Sequence, residues 1–399
     1  MRLWIHSKRP LAYARGSVMA LAILVGLHAQ PVSPLEREGS YWVETISGSL
    51  ASAETSQLRV DVRASVSVHG EGGNQLVYRL RRRVEARTEA EARRLLATCE
   101  FRARRLGPVV HLEVSEPPRS RVLMELEVRV PRALGQAIVE SRVGSLDLTG
   151  LNADVQAFTG GGPIQADQLS GSLIARTGGG AISIGSVGGS VRAFSGGGPI
   201  RVKNCGGEAT LETGGGEIVV EQAGSAVSAV TGAGNIEVGR AGGLVVARTH
   251  GGIIRVSQAE GQVNAENAGG LIQVDSANGV RCESAGGGIK LRGISGQMRV
   301  AAAVGSILAE LLSNRVLSDS YLSTHRGDII LLIPSNLAVT VEAMNESRGR
   351  AGIVSEFREI RVRGSESDPR IVATGALNGG GPLLRVSATD GTIYLRRQK

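Results

Sequence analysis

Large side chains are scarce in this sequence. Four Phe, five Tyr and two Trp make up 3% of 399 residues. That excludes an ordinary globule packed around buried rings, so burial has to come from small aliphatics on a repeating backbone. The same scarcity argues against a groove in which sugars stack on aromatic faces. Cysteine is nearly absent too: Cys99, Cys205 and Cys282. Cys205 and Cys282 lie about four repeats apart, which at ~4.8 Å per strand is ~20 Å, beyond disulfide reach. Both occupy slots that hold Val, Leu or Ala elsewhere, so they read as small buried hydrophobes. Cys99 has no evident partner. Past the N-terminus no run of 18 apolar residues occurs, so no later transmembrane span is expected. The net charge is only +8, half of it in the first 29 residues. That is too little to point to nucleic acid.

What is present begins with an export signal. Arg2, Lys8, Arg9 and Arg15 flank an apolar run from Val18 to Leu27, broken only by Gly26, and Ala29 could end a cleavage site. The run is too short to span a bilayer comfortably, although an uncleaved anchor is the alternative. No Cys marks a lipoprotein. Residues 1–29 are therefore expected to be a signal peptide, and the protein to be exported to the periplasm, the cell surface or the medium.

The dominant feature is a ladder. Ile164, Ile182, Ile200, Ile218, Ile236, Ile254 and Ile272 fall 18 residues apart, with Leu146 one interval earlier. The chain has 56 glycines, and a glycine-rich cluster stands just before each of these isoleucines, as in Gly178-Gly179-Gly180. A period this strict marks a solenoid. In the unit from Gly171 to Gly188, Leu173 and Ala175 alternate with Ser172, Ile174 and Arg176, the glycines turn the chain, and Ile182 and Ile184 make a second strand. A left-handed hexapeptide helix would need an aliphatic every six residues, and stepping by six from Ile164 meets Ser170 and Arg176. The coil is therefore two short strands and two glycine-rich turns. One 17-residue step, to Val280 and Cys282, places a lost residue in the turn near Asn278-Gly279, where the inward-outward alternation survives.

The fold class expected is an all-β, single-chain β-solenoid with ~18-residue coils and a small N-terminal α+β domain. Residues 30–57 read as a linker or irregular segment, 58–135 as the α+β domain, 136–312 as the regular solenoid and 313–399 as irregular terminal coils forming a cap. Residues 345–352 read as a loop. Within the α+β domain, Thr88 and Glu91 form a capping box opening a helix that is expected to run to about Leu106 and stop at Gly107-Pro108.

Val128-Arg129-Val130-Pro131, tandem units such as Gly144-Ser145-Leu146-Asp147-Leu148 and Gly188-Gly189-Ser190-Val191, and the closing Gly391-Thr392-Ile393-Tyr394-Leu395 resemble the bacterial putative-adhesin family of unknown function, a DUF4097-like glycine-rich β-strand repeat. The resemblance covers roughly residues 120 to 399. It implies a repeat β-fold on the cell surface or in the envelope and carries over no catalytic residue. Many members place Gly-Asp before the strand, and here that pair stands clearly only at Gly327-Asp328.

No constellation of chemistry emerges. Every glycine cluster precedes a strand rather than a helix, so the clusters are turns and not phosphate cradles. No repeated Asp supplies a calcium ladder. His69, His111, His250 and His325 are isolated, and no metal-ligand spacing appears. Glu212, Glu217, Glu221 and Glu237 come closest to a carboxylate cluster but do not share a slot. The column Thr159, Thr177, Thr213, Thr231 and Thr249, with Ser195 and Asn267, has inward parity and reads as an internal hydroxyl ladder. Arg81, Arg82 and Arg83 are weak candidates for an anion patch, interleaved with glutamates that would make an ordinary mixed surface. No catalytic residue, metal or cofactor is expected. The reading is a non-catalytic, adhesin-like binding or scaffold module whose partner is an envelope polymer, a glycan or a surface protein. The alternatives are a β-helix enzyme acting on polysaccharide and an envelope-stress sensor binding anionic polymers.

Overall fold

The computed structural model describes residues 34–51, 55–117, 120–132, 134–346, 352–365 and 368–398. The expected signal peptide and most of the 345–352 loop lie outside them. Among the described residues there are 36 strands and one α-helix. The strands form two long sheets of 18 strands each, and in both sheets the pairings run as one open ladder. The protein is a β-solenoid in which each regular coil gives one strand to each sheet.

Alternation explains the interior. In Leu173–Thr177 the residues Leu173, Ala175 and Thr177 are buried; in Ile182–Val187 the buried set is Ile182, Ile184 and Val187. Each position pairs in register with its counterpart one coil on: Leu173 with Val191, Ala175 with Ala193, Ile182 with Ile200. Stacked slots thus make continuous apolar columns, which suits Val, Ile and Ala and leaves no place for large rings. Cys205 and Cys282 sit in these columns, both buried and unbridged. Burial pushes the Cys282 thiol up to about 12.

The glycine turns serve close approach. A Cβ on Gly178 or Gly180 would lie 2.1 or 2.2 Å from a carbonyl oxygen of the preceding coil, whereas Gly179 faces open space. The inward hydroxyls then fasten the turns. Thr177 Oγ1 donates to Gly162 O (2.8 Å) and accepts from Gly180 N (3.1 Å), and Ser195, Thr213, Thr231 and Thr249 repeat both bonds. The 17-residue step falls where expected. The three residues Glu260-Gly261-Gln262 that separate two strands are replaced one coil on by Asn278-Gly279 within the continuous strand Ala277–Ser284, where Gly279 takes φ +92° and the register with the next coil shifts.

Both ends depart from sequential stacking. The coil made by Gln57–Val62 and Ser65–Glu71 lies between Val109–Ser115 and Gln136–Ser141 in one sheet and between Leu123–Pro131 and Leu146–Thr149 in the other. At the far end, Leu383–Asp390 lies between Ser320–Arg326 and Val339–Asn345, and Ile393–Arg397 between Ile329–Ile333 and Ile353–Ser355. Each end therefore inserts a coil out of chain order. Asp328 Oδ1 accepts from Thr392 N (2.8 Å), so the acidic residue of Gly327-Asp328 ties the inserted coil to its neighbour. The outermost strands of one sheet, Glu100–Leu106 and Arg361–Ser365, both carry arginines, which disfavours end-to-end pairing.

Two local expectations need correction. The segment 30–57 is not simply irregular: Glu36–Glu38 and Tyr41–Ala51 are strands, the second paired along its length with Gln75–Glu85. Trp42, Ile46 and Leu50 pack onto the core there. The helix is Glu89–Leu96, capped by Thr88, and does not reach Leu106. Glu100–Leu106 is a strand forming a hairpin with Val109–Ser115. Gly107, at φ +60°, makes Gly107-Pro108 a two-residue hairpin turn rather than a helix stop.

Candidate functional site

Since the interior is uniform, differences in chemistry lie on the outward positions. Each parallel strand holds its outward side chains at the strand spacing, so one slot read along the stack is a column ~4.8 Å per step. One column of the second sheet runs Asp61, Glu140, Phe158, Arg176, Phe194, Glu212, each paired in register with the next. It borders the glycine turns, which offer no side chains to fill the space beside it. The result is an open groove of about 820 Å³ along the outer face, to which Arg192 and Thr210 of the neighbouring column contribute.

Two of the four phenylalanines stand in this one groove, which corrects the inference that aromatics are too few to line one. Phe194 is 43% exposed. The composition is sparse, but the 36-residue separation of Phe158 and Phe194 is two coils, and slot arithmetic across Arg176 would have found them. Among the described residues neither Arg176 nor Arg192 has a carboxylate within ion-pair distance, and Glu140 has only Arg59 at 4.0 Å. Three carboxylates (Asp61, Glu140, Glu212) and three guanidiniums (Arg142, Arg176, Arg192) line the groove, so their formal charges cancel.

The same face continues as a second trough of about 570 Å³ past Val230, Arg248, Glu266 and Glu283. There the charges satisfy one another, Arg248 with Glu266 at 3.0 Å and Arg281 with Glu283 at 2.9 Å, and no aromatic lines it. By contrast, the first groove sets half-buried Phe158 and exposed Phe194 beside guanidiniums that have no carboxylate partner among the described residues.

The arginines singled out in the sequence are used differently. Arg81 bonds Glu38 (2.6 Å) and lies 3.9 Å from Glu125, and Arg83 bonds Glu125 (2.6 Å). Arg82 is buried, paired with Glu44, and donates to the carbonyls of Leu96 (3.2 Å) and Cys99 (2.7 Å) at the end of the helix. Arg81 and Arg83 thus tie neighbouring N-terminal strands, and Arg82 ties those strands to the end of the helix. The glutamates considered as a cluster are dispersed. Glu212 lines the groove, Glu217 pairs with Arg201 (2.7 Å), and Glu237 pairs with Arg255 on the opposite sheet. His250 lies at a turn beside the second trough. No helix among the described residues is long and apolar enough to cross a membrane.

No family model matches the chain, and no curated protein matches it. Solved structures similar to it include the following three. One is a "putative cell adhesion protein" from Clostridium sporogenes (8% identity, covering 89% of this chain and 100% of that one, TM-score 0.17). The second is a "putative adhesin" from Bacteroides fragilis (13% identity, 72% and 97% covered, TM-score 0.18). The third is a "putative adhesin" from Parabacteroides distasonis (9% identity, 88% and 96% covered, TM-score 0.20).

Proposed function

We propose that this protein is an exported, adhesin-like binding module that holds an elongated partner in the cell envelope without turning it over. The observation that carries this reading is the groove from Asp61 to Glu212, which follows the stack axis over six neighbouring strands. A groove of that length suits a polymer better than a compact metabolite. The parallel ladder fixes the backbone and the spacing of the outward column before any partner arrives, so binding need not order the chain itself. The apolar run at residues 18–27 supports export.

A second reading has one observation behind it. Asp61 and Glu140 are register partners on adjacent strands in the groove, as a polysaccharide hydrolase would require of its two carboxylates. Against it, both stand on an open sheet face, Glu140 with 41% of its side chain exposed. The deciding experiment is an array of glycans and envelope polymers probed with the purified chain, followed by assay of each bound partner for shortened products. Retention without product is expected. Product formation that disappears in Glu140→Gln would replace this function with the hydrolase.

A further inference from the structure

The order of side chains along the groove constrains its ligand. Glu140, Phe158, Arg176, Phe194 and Glu212 alternate a planar charged group with an aromatic ring, coil by coil. The rings recur every second coil, about 9.6 Å apart, and the polar groups between them recur with the same period. From this alternation we infer that the ligand is a neutral, linear glycan of equatorially β-1,4-linked pyranoses lying along the stack. This rests on the groove being the binding site.

Three properties of such a chain fit. Its advance per sugar is close to one strand spacing, so sugars and coils keep step. Successive sugars are rotated by half a turn, so the same ring face returns at every second sugar, as the phenylalanines do. Its hydroxyls both donate and accept, matching carboxylates at Glu140 and Glu212 and the guanidinium of Arg176 between them. An extended peptide fits worse, because its side chains on one face recur every ~6.7 Å and fall out of step within two coils. A polyanionic glycan fits worse as well: with one sugar per coil, carboxylates opposite Arg176 would recur opposite Glu140 and Glu212.

The test is titration calorimetry of the full chain with hexamers of β-1,4-linked glucose, β-1,4-linked N-acetylglucosamine and β-1,4-linked mannuronate. At least one neutral hexamer is expected to bind, at least tenfold more tightly than the mannuronate. Its affinity should change less than about twofold between low and high salt. Phe158→Ala and Phe194→Ala should each weaken it about tenfold, and Phe194→Tyr should largely restore it. The ligand class is overturned if neither neutral hexamer binds, if mannuronate binds as tightly, or if binding collapses with salt. If mannuronate binding still depends on Phe158 and Phe194, the groove stands and only the class falls. If both alanine variants bind as the wild type does, the groove itself is not the site.

Discussion

The middle and the ends of this solenoid solve the same problem by opposite means. From Leu173 to Asn267 every coil pairs with the coil immediately before and after it in sequence, at fixed register. At each end a coil is inserted out of order, bringing together residues far apart in the chain: Leu58 with Ala137, and Ser320 with Leu384. The middle is a local structure, held by hydroxyl-fastened turns and columns of small aliphatics. The ends use long-range pairing, antiparallel hairpins and a buried arginine, because the last coil of a stack has no neighbour to cover it. Regularity therefore measures how little a region depends on distant sequence.

That contrast can be broken at several points. The largest effect should come from deleting residues 383–399. Ile329–Ile333, five aliphatics of alternating burial, and Ser320–Arg326 would each lose a strand partner. The truncated chain is expected to aggregate or to lose cooperative unfolding, read by light scattering and urea denaturation. A soluble chain with an unchanged midpoint would show that the inserted coil does not lock the end. Next, Gly180→Ala drives a Cβ into the preceding coil and should cost about 3 kcal/mol or more. Gly179→Ala, which meets nothing within 4 Å, should stay within about 0.5 kcal/mol. Equal urea midpoints for the two would remove the close-approach account of the turns.

Arg82→Ala tests the N-terminal end. It strands Glu44 and two helix-end carbonyls in a largely buried site, so a loss of about 3 kcal/mol is expected. Substituting Arg81 or Arg83, whose ion pairs are a third or more exposed, should cost under about 1 kcal/mol. In the middle the expected loss is smaller than for Arg82→Ala. Thr213→Val removes one donor to Gly198 O and one acceptor for Gly216 N, and should cost about 1–2 kcal/mol by thermal or urea unfolding. A neutral result would mean that the hydroxyl ladder merely fills space.

The regular middle was legible in the sequence because its rules are local. Period, parity and slot identity fixed the inward columns, the direction of Thr177 and the position of the 17-residue step. The ends were not, because their pairings are decided by distant partners. Tyr41–Ala51 alternates too weakly to announce a strand until Gln75–Glu85 covers it, and Phe101 and Ala103 fit a helical face until the Gly107-Pro108 hairpin is seen. The groove lay between these cases. Its residues sit on the regular coils, yet a count of aromatics hid what their placement reveals. Arg81, Arg82 and Arg83 stood out by clustering, and the fold spends them on holding one end together.

The central claim is that the repeating interior is scaffold and the outward column of the first groove binds. It is tested most directly by titrating the tighter-binding neutral β-1,4 hexamer into two variants, Phe158→Ala/Phe194→Ala and Thr213→Val, each with its urea midpoint measured. The account predicts that the double variant loses the hexamer while keeping the wild-type midpoint, and that Thr213→Val shifts the midpoint while keeping the affinity. Wild-type affinity in the double variant, or loss of its midpoint together with its binding, would contradict it.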